Sequence, residues 1–174
     1  MNKKSNIILL VSFLGYLFLY LFLFKNIVLF DKAFCFIYLA FLLSIPIDSN
    51  RILDMFIGLI TGLVVDIFSD SLGIHTAASV LFMYFRYYLI QWSTPQGGYE
   101  GNALPSIGSM GLSWYLTYTI PLLFVHQIAL FFIEAGGFGL FFYTFTKVLM
   151  STFFTLVVIV LFQYLFSTSV KRRL

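Results

Sequence analysis

The sequence predicts an all-α membrane protein with about six transmembrane helices in one bundle, on three observations. Hydrophobic residues make up 61% of the 174 and charged residues only 10%, far from the globular norm. Six apolar runs approach the roughly 20 residues that a helix needs to cross about 30 Å of hydrocarbon. Short basic clusters sit at the ends of those runs, where they orient helices. The net charge of +3 is too small and too scattered for a nucleic-acid surface. The single cysteine, Cys35, leaves no intramolecular disulfide and no multi-cysteine metal site. Residues 1–174 read as a single polytopic domain, with no repeat and no separate soluble unit.

The runs cover 7–24, 33–47, 52–68, 74–90, 114–133 and 138–166. The first follows Lys3 and Lys4 as a signal peptide would, but it is longer than an h-region and lacks a small-x-small cleavage site, so it reads as an uncleaved anchor. The second is short and ends at Pro46. The third contains Asp54 and Asp66, and Asp54 is expected to pair with Arg51 on the same helix. The fourth carries Arg86 near its end, either reaching for headgroups or serving as the counter-charge of a polar network. In the fifth, His126 is expected to satisfy backbone groups loosened by Pro121. The sixth is long enough to tilt or project, which puts Lys147 near the outer interface with Glu134. Residues 91–113, rich in Gly and Pro, read as a loop, and Trp92 and Trp114 suit an interface. Lys3, Lys4, Arg51 and the Lys171, Arg172, Arg173 tail oppose Lys25 and Lys32, which predicts a multi-pass protein of the inner (plasma) membrane with both termini cytoplasmic.

One segment stands apart. Gly58, Gly62, Asp66 and Asp70 recur every four residues and form one ridge while the helix lasts. Glycines at that spacing admit a neighbouring helix closely, and a carboxylate on the same line then points into protein. The next helix begins near Gly73, with Ser69, Asp70 and Ser71 offering acceptors to its first N–H groups. On it His75, Ser79, Phe82 and Arg86 share one face, a candidate polar network. Spans three and four are expected to pair by these faces, with Asp66 meeting His75 or a backbone N–H.

Chemistry is sparse. His75 and His126 lie on different spans with no ligand spacing around them, so no metal is expected. Asp66 and Asp70 could chelate a cation, but no second acidic motif completes a site. No nucleophile elbow, phosphate loop or zinc-protease signature is present. Asp66 therefore reads as a structural anchor, and neither catalytic residues nor cofactors are expected.

The order Gly62, Leu63, Asp66, Ser69, Gly73 resembles the hallmark of the rod shape-determining protein MreD family, with Ser71 where many members have a proline. Length, six hydrophobic runs and a basic tail are similar to that family across the whole chain. The resemblance implies a non-enzymatic inner-membrane scaffold of the cell-elongation (rod) complex. Its partners would be an MreC-like bitopic protein, the MreB filament, the glycosyltransferase RodA and a class B penicillin-binding protein, and it would help organise peptidoglycan synthesis and cell shape. The family is also thought similar in fold to the substrate-binding subunits of energy-coupling-factor transporters. That likeness supplies an alternative, a membrane subunit capturing a vitamin-sized molecule with polar groups such as His75 and Arg86.

Overall fold

A computed structural model describes residues 3–95, 97–99 and 103–167. The Lys171–Arg173 cluster and part of the 91–113 connection lie outside the described residues.

Helix α1 (Lys3–Leu19) continues without interruption into a π-helical turn at Tyr20–Phe24. A two-residue hairpin follows, with β1 (Val28–Leu29) antiparallel to β2 (Ala33–Phe34). Then come a short helix α2 (Leu39–Leu43), two long helices α3 (Arg51–Ser69) and α4 (Ile74–Trp92), a single turn α5 (Ile107–Met110), and the long helices α6 (Leu112–Glu134) and α7 (Phe141–Ser167). Among the described residues, three helices are long and apolar enough to cross a membrane: α3, α6 and α7. The apolar stretch of α1 and its π-helical extension, Leu9–Phe24, is shorter. The exposed surface is itself apolar, with Leu10, Val11, Leu14 and Phe18 of α1 and Leu149, Phe153 and Leu161 of α7 facing outward. Such a surface belongs in hydrocarbon and not in water, so the chain is an all-α membrane protein.

The run 33–47 departs from expectation. Only Leu39–Leu43 is helical, and five residues rise about 7 Å, too little to cross. The rest is extended or turned, and the segment is enclosed: Cys35 through Leu43 are all buried. It threads the middle of the bundle. Phe36 lies beside His75 of α4, at 6.0 Å between ring centroids, whereas the Ile45 carbonyl meets Arg86 of the same helix, about three turns or ~16 Å further along. An apolar run reads alike whether lipid or protein surrounds it. Here the stretch Phe34–Tyr38 is aromatic and β-branched, a composition that favours extended backbone, and Pro46 ends the helical part.

Non-helical backbone at membrane depth is tolerated only where protein satisfies its polar groups. Two hydroxyls one turn apart on α7 do so for the extended part. Ser151 accepts from the Phe34 N–H at 3.0 Å and donates to the Lys32 carbonyl at 3.2 Å. Thr155 accepts from the Phe36 N–H at 3.2 Å and donates to the Phe34 carbonyl at 3.3 Å. Together they mimic the edge of a neighbouring strand. Further along, Tyr118 of α6 donates to the Leu43 carbonyl at 3.3 Å, and the Ile47 N–H donates to the Ala103 carbonyl at 3.1 Å.

The remaining frame follows the sequence closely. α3 and α4 form an antiparallel pair in contact along their length. Gly58 abuts the Ser79 carbonyl and Met83, and Gly62 abuts the backbone of His75 and Thr76, where an added Cβ would lie 2.7 Å from the His75 oxygen. α6 packs on α4 and α7, and the α6–α7 turn uses Gly136 and Gly137 at positive φ.

Replacing both Ser151 and Thr155 by alanine leaves the Phe34 and Phe36 N–H groups buried without partners. The double variant is expected to lose about 2–5 kcal/mol of stability, read as a lower unfolding midpoint in mixed detergent micelles. A valine in place of Thr155, which keeps the volume but removes the hydroxyl, is expected to reproduce most of the loss that alanine causes at that site.

Candidate functional site

The buried carboxylates, Asp54 and Asp66, lie at two levels of the bundle, joined by an aromatic middle. At one end lies the turn between α3 and α4. Asp70 leaves the helix in the left-handed conformation, with φ of 52°, and Gly73 follows at 86°, a region that glycine enters without strain. Asp70 is therefore turned off the Gly58–Gly62–Asp66 ridge and is exposed. Asp66 is buried and points across to the start of α4. Its Oδ1 accepts from the His75 N–H at 3.0 Å and from the Ser71 hydroxyl at 2.6 Å. Its Oδ2 accepts from the Thr76 N–H at 2.8 Å and from the Thr76 hydroxyl.

His75 Nδ1 lies 3.1 Å from Asp66 Oδ1 and 2.9 Å from Ser71 Oγ. A proton on Nδ1 lets the imidazole donate to both oxygens while Ser71 still donates to the carboxylate, so every group in the triangle is matched. Asp66 thus takes five donors and places its negative charge at the N-terminus of α4, where the helix dipole favours it. The expected contact between Asp66 and His75 or a backbone N–H is present in both forms. The cap itself differs from the sequence reading, because the acceptor comes from within the preceding helix and not from Ser69, Asp70 or Ser71. Ser69 lies instead beside Tyr20. The opposite end of the turn is held by Lys25, which donates to the Phe68 carbonyl at the C-terminus of α3.

At the other level Arg86 is 1% exposed. Its Nη1 donates to Asp54 Oδ2 at 2.8 Å, its Nε donates to the Tyr118 hydroxyl at 2.8 Å, and its Nη2 reaches the Ile45 and Pro46 carbonyls. Ser49 donates to the same Asp54 oxygen at 2.7 Å. Of the two roles open to Arg86, the counter-charge of a polar network is the one observed. Asp54 consequently pairs with Arg86 and not with Arg51. Arg51 lies instead over the rings of Tyr84, Tyr87 and Tyr88, at 4.5–5.1 Å.

Between the levels, His126 Nε2 and the Tyr38 hydroxyl are 2.9 Å apart. Its partner is thus a side chain of the threaded segment, not backbone released by Pro121. The rings of Phe36, Tyr38, His75, Phe82 and His126 pack as one cluster with centroids about 6 Å apart, and buried Ser79 adjoins Tyr38. His75, Ser79, Phe82 and Arg86 thus share the inward face of α4, as their spacing predicts. Near the N-terminal end of α7, Lys147 is 3.3 Å from Glu134 and lies over Phe34 and Phe131.

The sequence reading missed Tyr38, Tyr118, Ser151 and Thr155. The cue for the last two was their spacing of four residues, which puts both hydroxyls on one face of a largely apolar span. Both buried carboxylates, Asp54 and Asp66, are held by cationic or hydrogen-bond donors. Among the described residues, no group of three or more His, Cys, Asp or Glu is gathered as a metal site. No protein-family model matches the chain, and no curated protein or solved structure is significantly similar to it.

Two tests follow from this geometry. Arg86→Met strands Asp54 and the carbonyls of Ile45 and Pro46, and is expected to cost about 3–5 kcal/mol. Asp54→Asn is expected to cost less, and the double variant little more than Arg86→Met alone; additive losses in a detergent unfolding cycle would show that the two residues do not act as a unit. Asp66→Asn turns one acceptor into a donor facing Thr76 or His75, so a loss of about 2–3 kcal/mol is expected. Hydrogen exchange should then rise first at the start of α4.

Proposed function

We propose that this protein is a non-enzymatic membrane scaffold of the MreD kind, which binds a bitopic MreC-like partner and helps organise peptidoglycan synthesis and cell shape. RodA, a class B penicillin-binding protein and the MreB filament complete the assembly in this reading. The observation that carries it is the consumption of the motif residues within the fold. Gly62, Asp66 and Gly73 build the α3–α4 turn, and His75 and Arg86 are bonded to Asp66 and Asp54. In the same proposal α1 and α4 cross the membrane with α3, α6 and α7. The threaded 33–47 segment makes a sixth passage, which puts both termini on the cytoplasmic side of the inner membrane. The Arg86 level then faces the cytoplasm and the Asp66 level faces outward.

The glycine ridge is covered by α4, so a partner must use another face. α1 offers one. Val11, Leu14, Phe18 and Phe22 are exposed around Gly15, beside which a Cβ would meet nothing within 4 Å. A small residue on an open helix face lets a second helix come close. The transporter-like alternative has weaker support, since His75 and Arg86, its specificity groups, are committed to Asp66 and Asp54.

Co-expression with an MreC-like bitopic protein, gentle extraction and native mass spectrometry test the reading. A stoichiometric complex supports it; a vitamin-sized adduct with no partner refutes it. Gly15→Leu is expected to reduce partner recovery at least several-fold with an unchanged unfolding midpoint. Gly62→Leu, by contrast, forces α3 from α4 and is expected to destabilise the protein itself, by about 3 kcal/mol or more.

A further inference from the structure

Arg51 opens α3 with a positive charge that no carboxylate answers. Asp54, three residues on, is taken by Arg86 at 2.8 Å, and among the described residues no other acid lies within ion-pair distance of Arg51. What holds it is aromatic. Its guanidinium lies over the rings of Tyr84, Tyr87 and Tyr88, three side chains of the adjoining α4, at 4.5, 5.1 and 5.1 Å. Ring contact keeps the charge in place without neutralising it, and the fork of guanidinium N–H donors suits the oxygens of a phosphate or carboxylate. The cation is only partly covered, and Tyr87 and Tyr88 are exposed.

Two hydroxyls lie beside it. The phenol oxygens of Tyr84 and Tyr88 are 3.3 Å apart and adjoin the guanidinium. Each hydroxyl has one proton to give, so a bond between the two consumes one and leaves the other for an outside acceptor. The cluster therefore offers N–H donors, an O–H donor and an unanswered positive charge, which is the chemistry that recognises a phosphate. The surroundings say which kind. From Arg51 and Tyr88 the surface runs toward the middle of the bundle through the exposed apolar side chains of Ile52, Leu53 and Phe56 on α3 and Phe85 on α4. In the other direction Trp92, one turn beyond Tyr88, is 79% exposed. Indole and phenol groups at the end of membrane helices mark the headgroup layer. A phosphate held at that depth, with hydrocarbon alongside, belongs to a lipid.

We infer that Arg51, Tyr84 and Tyr88 form a binding site for the phosphate of an anionic phospholipid, whose acyl chains lie along the apolar outer faces of α3 and α4. A glycerol headgroup leaves the phosphate its net negative charge. A choline headgroup carries its own ammonium, which offsets the attraction of the guanidinium. Phosphatidylglycerol therefore ranks above phosphatidylcholine of the same acyl length. The inference is independent of the scaffold assignment, since it concerns the lipid at one helix pair and not a protein partner.

The test uses the full chain, delipidated in detergent and offered the two lipids in equal amounts, with the first retained lipid identified by native mass spectrometry. Retention of phosphatidylglycerol about five-fold above phosphatidylcholine is expected, the size of effect that one cation has beside anionic lipid. Arg51→Gln strands no buried partner and is expected to abolish that preference, whereas Arg51→Lys is expected to keep part of it. Tyr84→Phe combined with Tyr88→Phe keeps the rings without the hydroxyls and is expected to weaken retention of both lipids several-fold. Equal retention of the two lipids by the unaltered chain overturns the inference, as does a preference that survives Arg51→Gln in a variant with wild-type circular dichroism. Inorganic phosphate equimolar with the lipid is expected to leave retention unchanged; displacement of the lipid would show a site for the free anion and overturn the lipid assignment.

Discussion

Hydrocarbon offers no hydrogen bonds, and that constraint explains most of the polar chemistry in this chain. A segment of about fifteen residues enters the bundle without forming a spanning helix, and each of its free backbone groups needs a partner from the protein. Ser151 and Thr155 serve its extended half, Tyr118 and Arg86 the carbonyls after its short helix. The four come from three different helices. The threaded segment is thus the element on which α4, α6 and α7 converge, and each of those helices gives at least one side chain to its backbone.

The buried charges follow from the same requirement. A guanidinium is brought inside to hold two carbonyls, and having been brought inside it needs a counter-charge, which Asp54 supplies at 2.8 Å. Removing either partner exposes the other to the full desolvation penalty, which is why buried ion pairs are harder to break than to replace. Asp66 represents a different solution. Its charge is answered mainly by hydrogen-bond donors at a helix N-terminus, two of them backbone N–H groups that would otherwise be orphaned in a membrane protein interior. The acid in the middle of one helix therefore becomes the cap of the next, and a tight turn can join them without a polar loop.

Much of this was legible in the sequence. Four of the six apolar runs lie within two or three residues of the ends of α3, α4, α6 and α7, and the glycine ladder with Asp66 pointed to a close α3–α4 pairing and a contact with His75. The legible features were local: periodicity, glycine spacing, a carboxylate four residues past a glycine. The run 33–47 was misread because apolarity reports burial without distinguishing lipid from protein, and the partners that settle the matter lie more than a hundred residues away on α7. Separation in sequence also hid the Asp54–Arg86 pair, whose members lie 32 residues apart on neighbouring helices. A nearer cation, Arg51, satisfied the local rule, yet its side chain found three tyrosines on α4 instead.

The two polar levels also differ in what they leave available. Asp66 is saturated: its oxygens accept from five donors, and nothing in that cluster asks for a further group. Asp54 has one oxygen fully engaged and one without a donor. Saturation favours rigidity, and an α3–α4 turn pinned in this way can present a fixed outer surface. The other level sits among tryptophans and tyrosines with an unused acceptor and an accessible guanidinium on its rim. The difference between the levels is one of matching: donors at the N-terminus of α4 take up both oxygens of Asp66, whereas Ser49 and Arg86 take up only Oδ2 of Asp54.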